Sequence, residues 1–151
     1  MKLNIRINSI DYRGSFVDGP GVRTVIYLQG CDTHCDGCHN QNTWDKNLGK
    51  LYNIDDLVDE LKSKVENGKI TISGGEPLIQ LEETIQLISK LKDMDICLYT
   101  GRSFEEVPKE LLPHLNYLKV GNYKKELRTT TTSFIGSTNQ RFLKLQDGKI
   151  I

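Results

Sequence analysis

A chain of 151 residues lies within the usual range of one domain, so residues 1–151 are expected to share a single core. Lys+Arg 20 balance Asp+Glu 20 to a formal net charge of zero, which excludes the basic footprint that a nucleic-acid partner requires. The longest apolar runs, such as residues 22–28, fall far short of the roughly 20 residues that span a bilayer, so neither a membrane segment nor a targeting leader is expected, and the expected compartment is the cytoplasm.

Leu3, Ile5 and Ile7 alternate with polar residues, which predicts a half-buried strand over residues 2–10. Asp18-Gly19-Pro20-Gly21 breaks the pattern as a turn. Residues 22–28 are β-branched and aromatic and run into Gly30-Cys31, so a cysteine loop begins where a buried strand ends. From Asn53, an N-cap, the apolar residues Ile54, Leu57, Val58, Leu61 and Val65 fall at helical spacing, with Asp55 and Asp56 in the first turn and Gly68 beyond the end. Residues 69–73 predict a strand leading into Gly74-Gly75-Glu76-Pro77, and Leu81, Ile85, Ile88 and Leu91 mark a second helix.

Residues 96–100 form the next predicted strand, stopped by Gly101. Ser103-Phe104-Glu105-Glu106 has the form of a capping box opening a short helix, and residues 117–120 form a further strand. Residues 124–151 read as a polar, Thr-rich loop followed by an edge strand at Phe142, Leu143 and Leu145. Strands alternating with helices predict an α/β fold with right-handed crossovers and a mainly parallel sheet. The count is too low for eight βα units, so any βα barrel is incomplete.

The chemistry concentrates in residues 30–40, where Cys31, Cys35 and Cys38 are spaced by three and then two residues. Soft thiolates suit iron–sulfur clusters, zinc or copper(I), and three thiolates on a four-iron cubane leave one iron open. The same loop also reads as a closed zinc site completed by His34 or His39. The bunching of the ligands in one loop favours the cluster. Cys97 stands apart in an apolar run and reads as a small buried hydrophobe outside the site. Gly74 and Gly75 permit positive φ or close backbone approach, and Glu76 can accept hydrogen bonds from a cationic amine, although a glycine pair after a strand is also an ordinary turn.

Taken together, the cysteine spacing and the Gly-Gly-Glu-Pro turn resemble the radical S-adenosylmethionine (SAM) superfamily. Within it, residues 17–23, 30–44, 73–78, 99–101 and 136–141 are most similar to the activating proteins of anaerobic ribonucleoside-triphosphate reductase, which are glycyl-radical activases. Gly37 before the third cysteine matches those activators, whereas Val120-Gly121-Asn122-Tyr123 departs from their Asp-Gly.

The resemblance implies a radical SAM type of fold and an oxidoreductase with no catalytic side chain beyond cluster and cofactor. Cys31, Cys35 and Cys38 would ligate a 4Fe-4S cluster. Gly37, Cys38, His39, Gly74, Gly75 and Glu76 would bind SAM, with Gly74, Gly75 and Glu76 holding its methionine amine. The implied reaction makes a 5′-deoxyadenosyl radical that takes hydrogen from a glycine of the reductase large subunit. The implied electron donor is of flavodoxin type. The turn at residues 18–21, beside the cluster strand, marks a candidate docking edge. Three alternatives stay open on the residues: a pyruvate formate-lyase activase-like enzyme, a radical SAM enzyme of deazapurine biosynthesis, and a zinc-stabilised interaction module without catalysis.

Overall fold

The computed structural model describes residues 3–32, 37–38 and 41–151. The strand-then-helix order appears in the middle of the chain. Strands β1 (Asn4–Ser15), β2 (Arg23–Leu28) and β3 (Lys50–Asn53) precede helix α1 (Ile54–Lys64). Strand β4 (Lys69–Gly74), helix α2 (Leu81–Lys90), and strands β5 (Asp95–Tyr99), β6 (Tyr117–Val120), β7 (Arg141–Gln146) and β8 (Lys149–Ile150) follow. All eight strands join one sheet in the order β3-β1-β2-β4-β5-β6-β7-β8.

The sheet is mixed, which corrects the expectation of a mainly parallel one. β2, β4, β5 and β6 run parallel, in three pairings. β1 with β2, β1 with β3, β6 with β7 and β7 with β8 are four antiparallel pairings. The reason lies in the connections, because a parallel pair needs a long crossover, whereas an antiparallel one closes through a turn. Only α1 and α2 supply helical crossovers. The β5–β6 link uses the 3₁₀ turns Phe104–Glu106 and Leu112–His114, and the flanking strands fold back without an α-helix among the described residues.

Local rules explain the helix starts. Asn53 caps α1 by accepting from the Asp56 amide at 3.1 Å, and Ile54, Leu57, Val58 and Leu61 are its buried face. In α2 the buried face is Thr84, Leu87 and Ile88, while Leu81 is exposed. Thr84 turns inward because its hydroxyl donates to the Pro77 carbonyl at 2.8 Å. The capping box at Ser103 and Glu106 forms, but it opens a single 3₁₀ turn instead of an α-helix. β3 is absent from the sequence-based expectations, since its four residues carry no clear alternation.

The pleat sends successive side chains to opposite faces. Ile26, Leu28, Ile70, Ile72, Ile96, Leu98, Leu118 and Val120 face the helices and form one core with Leu57, Leu61, Leu87 and Ile88. The opposite face is of another character. Register aligns Tyr27, Ser73, Tyr99, Lys119 and Phe142 in one row across five strands, with Val25, Thr71, Cys97 and Tyr117 in the row below.

The turn at residues 18–21 lies over this second face, held by Arg23, which is 0% exposed. Its guanidinium donates to the Pro20 and Ile70 carbonyls, to the Thr71 hydroxyl, and to the carbonyl and carboxylate of Asp95 at 2.8–3.0 Å. Thr71 in turn donates to the Asp18 carbonyl at 2.5 Å. A buried arginine is tolerated here because each nitrogen of its fork meets an acceptor. Gly19 sits at φ +113 with Arg23 and Cys97 within 3.0–3.3 Å of where a Cβ would stand, so the turn is fitted to what lies beneath it. No helix among the described residues is long and apolar enough to cross a membrane.

Candidate functional site

The site forms where β2 and β4 end side by side. Beyond β2, the Gly30 amide donates to the Thr43 carbonyl at 2.5 Å and the Cys31 amide to the Trp44 carbonyl at 3.1 Å, closing the base of the cysteine loop. Gln29, almost fully buried, braces that base. Its side-chain amide donates to the Asn42 and Asp45 carbonyls at 3.1 and 2.7 Å, and its own amide oxygen accepts from Asn8 at 2.9 Å. Gln80 ties the next turn to the same place by donating to the Arg6 and Gln29 carbonyls at 2.8 and 3.2 Å.

The glycine turn then docks directly on the loop. The Gly75 amide donates to the Leu28 carbonyl at 3.1 Å, and the Glu76 amide to the Gly30 carbonyl at 2.7 Å. Gly74 has φ +117, and a Cβ there would stand 2.3 Å from the Leu28 nitrogen. A Cβ on Gly75 would stand 2.2 Å from the Gly30 carbonyl oxygen. Gly74 is therefore required by close backbone contact with the end of β2 and Gly75 by close backbone contact with the cysteine loop, whatever ligand they meet.

Glu76 is 3% exposed, and three donors converge on its carboxylate. Oε2 accepts from the Leu78 amide at 3.0 Å and the Thr100 hydroxyl at 2.7 Å, and Oε1 from the Gly101 amide at 2.7 Å. Burial raises its pKa above the ordinary carboxylate value, and those hydrogen bonds together with Arg102 pull it back. Arg102 reaches the cysteine loop by pairing with Asp32 at 2.9 Å, the interaction that chiefly raises the arginine pKa.

These elements enclose a cleft of about 190 Å³. The half-buried Cys31 and Cys38 open on it together with Ser73, Gly74, Gly75 and Glu76. The structure thus brings two of the three predicted ligands and Gly74, Gly75 and Glu76 to one cavity. Gly37 has φ +76, and a Cβ there would stand 3.5 Å from the ring of Tyr123, which also lines the cleft. Cys35, His34 and His39 lie outside the described residues. Two thiols facing a buried carboxylate suit a thiolate-ligated cluster beside a ligand that carries a cationic amine.

The far wall explains two motifs. Gln140 accepts from the Gly136 amide at 2.8 Å and donates to the Gly121 carbonyl at 2.9 Å, and Ser137 accepts from the Lys124 amide at 3.1 Å. Residues 136–141 therefore shape the wall that carries Gly121, Asn122 and Tyr123. Cys97 is fully buried on the second sheet face and its thiol is pushed up to about 12, chiefly by burial, in keeping with its place outside the site.

Tyr99 and Lys119 are missing from the sequence-based site although both line the cleft. The Lys119 ammonium lies 4.0 Å from the Tyr99 ring centroid, and burial lowers its pKa. Strand alternation with the inward-facing Leu98 and Leu118 was the signal that could have found them.

Similarity to known proteins makes the cysteine-bearing cleft that of an iron–sulfur protein. A family of 4Fe-4S single cluster domains matches residues 17–143. The anaerobic ribonucleoside-triphosphate reductase-activating protein of Enterobacteria phage T4 is 37% identical over 147 residues, covering 91% of this chain and 93% of the relative. That of Vibrio cholerae is 32% identical, covering 82% and 88%. The pyruvate formate-lyase 1-activating enzyme of Escherichia coli K12 is 33% identical and covers 92% of this chain and 60% of its own. The crystal structure of QueE from Escherichia coli superposes with a TM-score of 0.58 at 19% identity, over 81% of this chain and 60% of that one, and so shares the fold. The chain belongs to the 4Fe-4S single cluster family and, within it, stands with the reductase-activating proteins.

Proposed function

We propose that this chain is a glycyl-radical activating enzyme whose substrate is an anaerobic ribonucleoside-triphosphate reductase. One observation carries the reading: Cys31, Cys38 and Glu76 open on a single cleft, and two backbone hydrogen bonds lock the Glu76 turn to the end of β2 and to the base of the cysteine loop. The names and coverage of the relatives point the same way.

Cys31, Cys35 and Cys38 would hold a 4Fe-4S cluster, leaving one iron open for SAM. When bound, cluster and SAM supply reductive cleavage of a sulfonium bond and hydrogen-atom abstraction from a glycine Cα. The protein's part is positional. Glu76 keeps a lone-pair direction on Oε1 for the methionine amine, and that ammonium would favour the ionised carboxylate that burial disfavours. Gly74 and Gly75 hold the turn against the end of β2 and the loop, so that Glu76 and the open iron would meet one ligand. Gly37 and His39 would flank the third ligand on the SAM side. The burial of the cleft floor excludes water from a reactive radical.

We assign the whole of residues 1–151 to one domain. The parallel strands β2, β4, β5 and β6, with helices on one face and the cleft on the other, are read as an incomplete βα barrel of radical SAM type. A flavodoxin-type protein is the proposed electron donor, and a reducing cytoplasm the proposed compartment.

The test is anaerobic reconstitution with iron and sulfide, followed by reductant, SAM and the reductase. The expected results are a visible charge-transfer absorption and a glycyl doublet in electron paramagnetic resonance. Stoichiometric zinc without that absorption would sink the proposal, because zinc thiolates do not absorb there.

A further inference from the structure

Among the described residues that line the cleft, Lys119 is the one cation. The strand fixes its place. β6 pairs with β5 so that Lys119 stands opposite Tyr99, and the pleat sends both side chains to the sheet face away from the helices. The ammonium lies 4.0 Å from the centroid of the Tyr99 ring, and that ring meets Phe142 edge-on at 6.4 Å. A cation over an aromatic face is held by the negative charge of the ring's π system.

Other cations of this part of the fold have carboxylate partners. Arg23 meets Asp95 at 2.8 Å, and Arg102 meets Asp32 at 2.9 Å. The Lys119 ammonium takes part in no ion pair among the described residues. Glu76, on the same cleft, is already met by the Leu78 and Gly101 amides and the Thr100 hydroxyl. Burial disfavours the Lys119 charge, and Asp18, Cys97 and Cys38 favour it. A cation withdrawn from water without a counter-ion costs free energy that a resident anion in the cleft would offset. Cys31 and Cys38 open on that cleft, and a thiolate-ligated cluster is such an anion.

We propose that the Lys119 ammonium raises the reduction potential of the cluster held by the cysteine loop, by compensating the negative charge that the cluster gains with its electron. This rests on the cluster assigned above to Cys31, Cys35 and Cys38. Three thiolates make the cluster anionic, and an added electron makes it more so, which means that a fixed cation stabilises the reduced form over the oxidised one. The electron comes from the external reductant, and no proton or atom is transferred. Partial burial keeps the ammonium from being screened as a surface lysine would be. A carboxylate of bound SAM is the other anion that could meet Lys119, and in that case the potential of the SAM-free cluster would not depend on it.

The test is a redox titration of the reconstituted, SAM-free protein, with the reduced cluster followed by electron paramagnetic resonance. Lys119→Met keeps the length of the side chain and removes its charge. It is expected to shift the reduction equilibrium about tenfold toward the oxidised cluster, a fall of about 59 mV for one electron. The fall should persist at high ionic strength. Lys119→Gln, neutral but polar, should repeat it, whereas Lys119→Arg keeps the charge and should stay within about threefold of the wild-type equilibrium. An equal fall in Lys119→Arg assigns the effect to packing and overturns the inference. Wild-type potentials in Lys119→Met and Lys119→Gln, with iron and sulfide per chain intact, overturn it as well, and a tenfold loss of SAM affinity in the same proteins would then give the ammonium to the SAM carboxylate. If wild-type protein takes up no cluster, the cluster assignment fails and this inference with it, whereas a normal cluster with unshifted variants sinks this inference alone.

Discussion

Glu76→Gln changes one atom in the middle of the site, and the structure says which consequences follow. Three donors share two carboxylate oxygens, so an amide must turn its NH2 toward the Gly101 amide or toward the Leu78 amide and Thr100. One charge-assisted hydrogen bond is lost, worth about 1.5–3 kcal/mol, while the penalty of burying an uncompensated carboxylate disappears. The two effects oppose each other, and the net change in folding stability is expected within about 1 kcal/mol, or roughly 4 °C in Tm. Ligand binding has no such offset. Removing one member of a buried charge pair costs about 3 kcal/mol at the low end, which is roughly a hundredfold in SAM affinity.

The pH dependence separates this from a merely structural role. The folded-state pKa of Glu76 is raised, so the folded protein keeps that proton to higher pH than the unfolded chain does. Its contribution to stability is complete below the ordinary carboxylate range and is lost as pH rises through the raised pKa. Affinity for an ammonium group runs the other way, weakening as pH falls through the same pKa. Both slopes should vanish in Glu76→Gln. Isothermal titration of SAM into the reconstituted protein across that range, with thermal unfolding in parallel, measures both. A SAM affinity within threefold of wild type, with cluster absorbance intact, would refute the assignment of Glu76 to the amine.

Gly75→Ala should force turn and cysteine loop apart, because its Cβ would meet the Gly30 carbonyl oxygen at 2.2 Å and the Thr43 carbonyl oxygen at 3.0 Å. The expected loss is about 3 kcal/mol, or roughly 6–12 °C in Tm, together with reduced iron and sulfide per chain. Gly68→Ala is the control: φ is +68 but no atom lies within 4 Å of the new Cβ, so about 1 kcal/mol is lost and iron content should hold. Cys97, with its thiol pushed up to about 12, should resist iodoacetamide at pH 8 in the folded protein and react on unfolding, as read by peptide mass. Labelling of Cys97 in the folded state would show that the turn over it opens.

Much of this was legible in the sequence because the signals are local. The N-cap at Asn53, the helical stripe of α1 and the capping box at Ser103 each depend on residues within one or two turns of each other. The cysteine loop and the Gly-Gly-Glu-Pro turn were recognisable for the same reason, since ligand spacing and turn chemistry are written along the chain. The parallel sheet was over-extended because alternation of strand and helix fixes only crossovers that contain a helix. Whether β1, β3, β7 and β8 fold back antiparallel depends on which edges are free once the four parallel strands have assembled.

By itself, then, the sequence determined the thiols, the glycine turn, the carboxylate and the family they belong to. Only the tertiary structure decided that Gly74 and Gly75 are required by the backbone of β2 and the cysteine loop. Only it could place Tyr99 and Lys119, two strand residues of ordinary appearance, in one row on the wall of the cleft. The physical reason is range. Ligand type and turn geometry are set by neighbours in the chain, whereas burial and cavity walls arise only when strands distant in sequence share one face of a sheet.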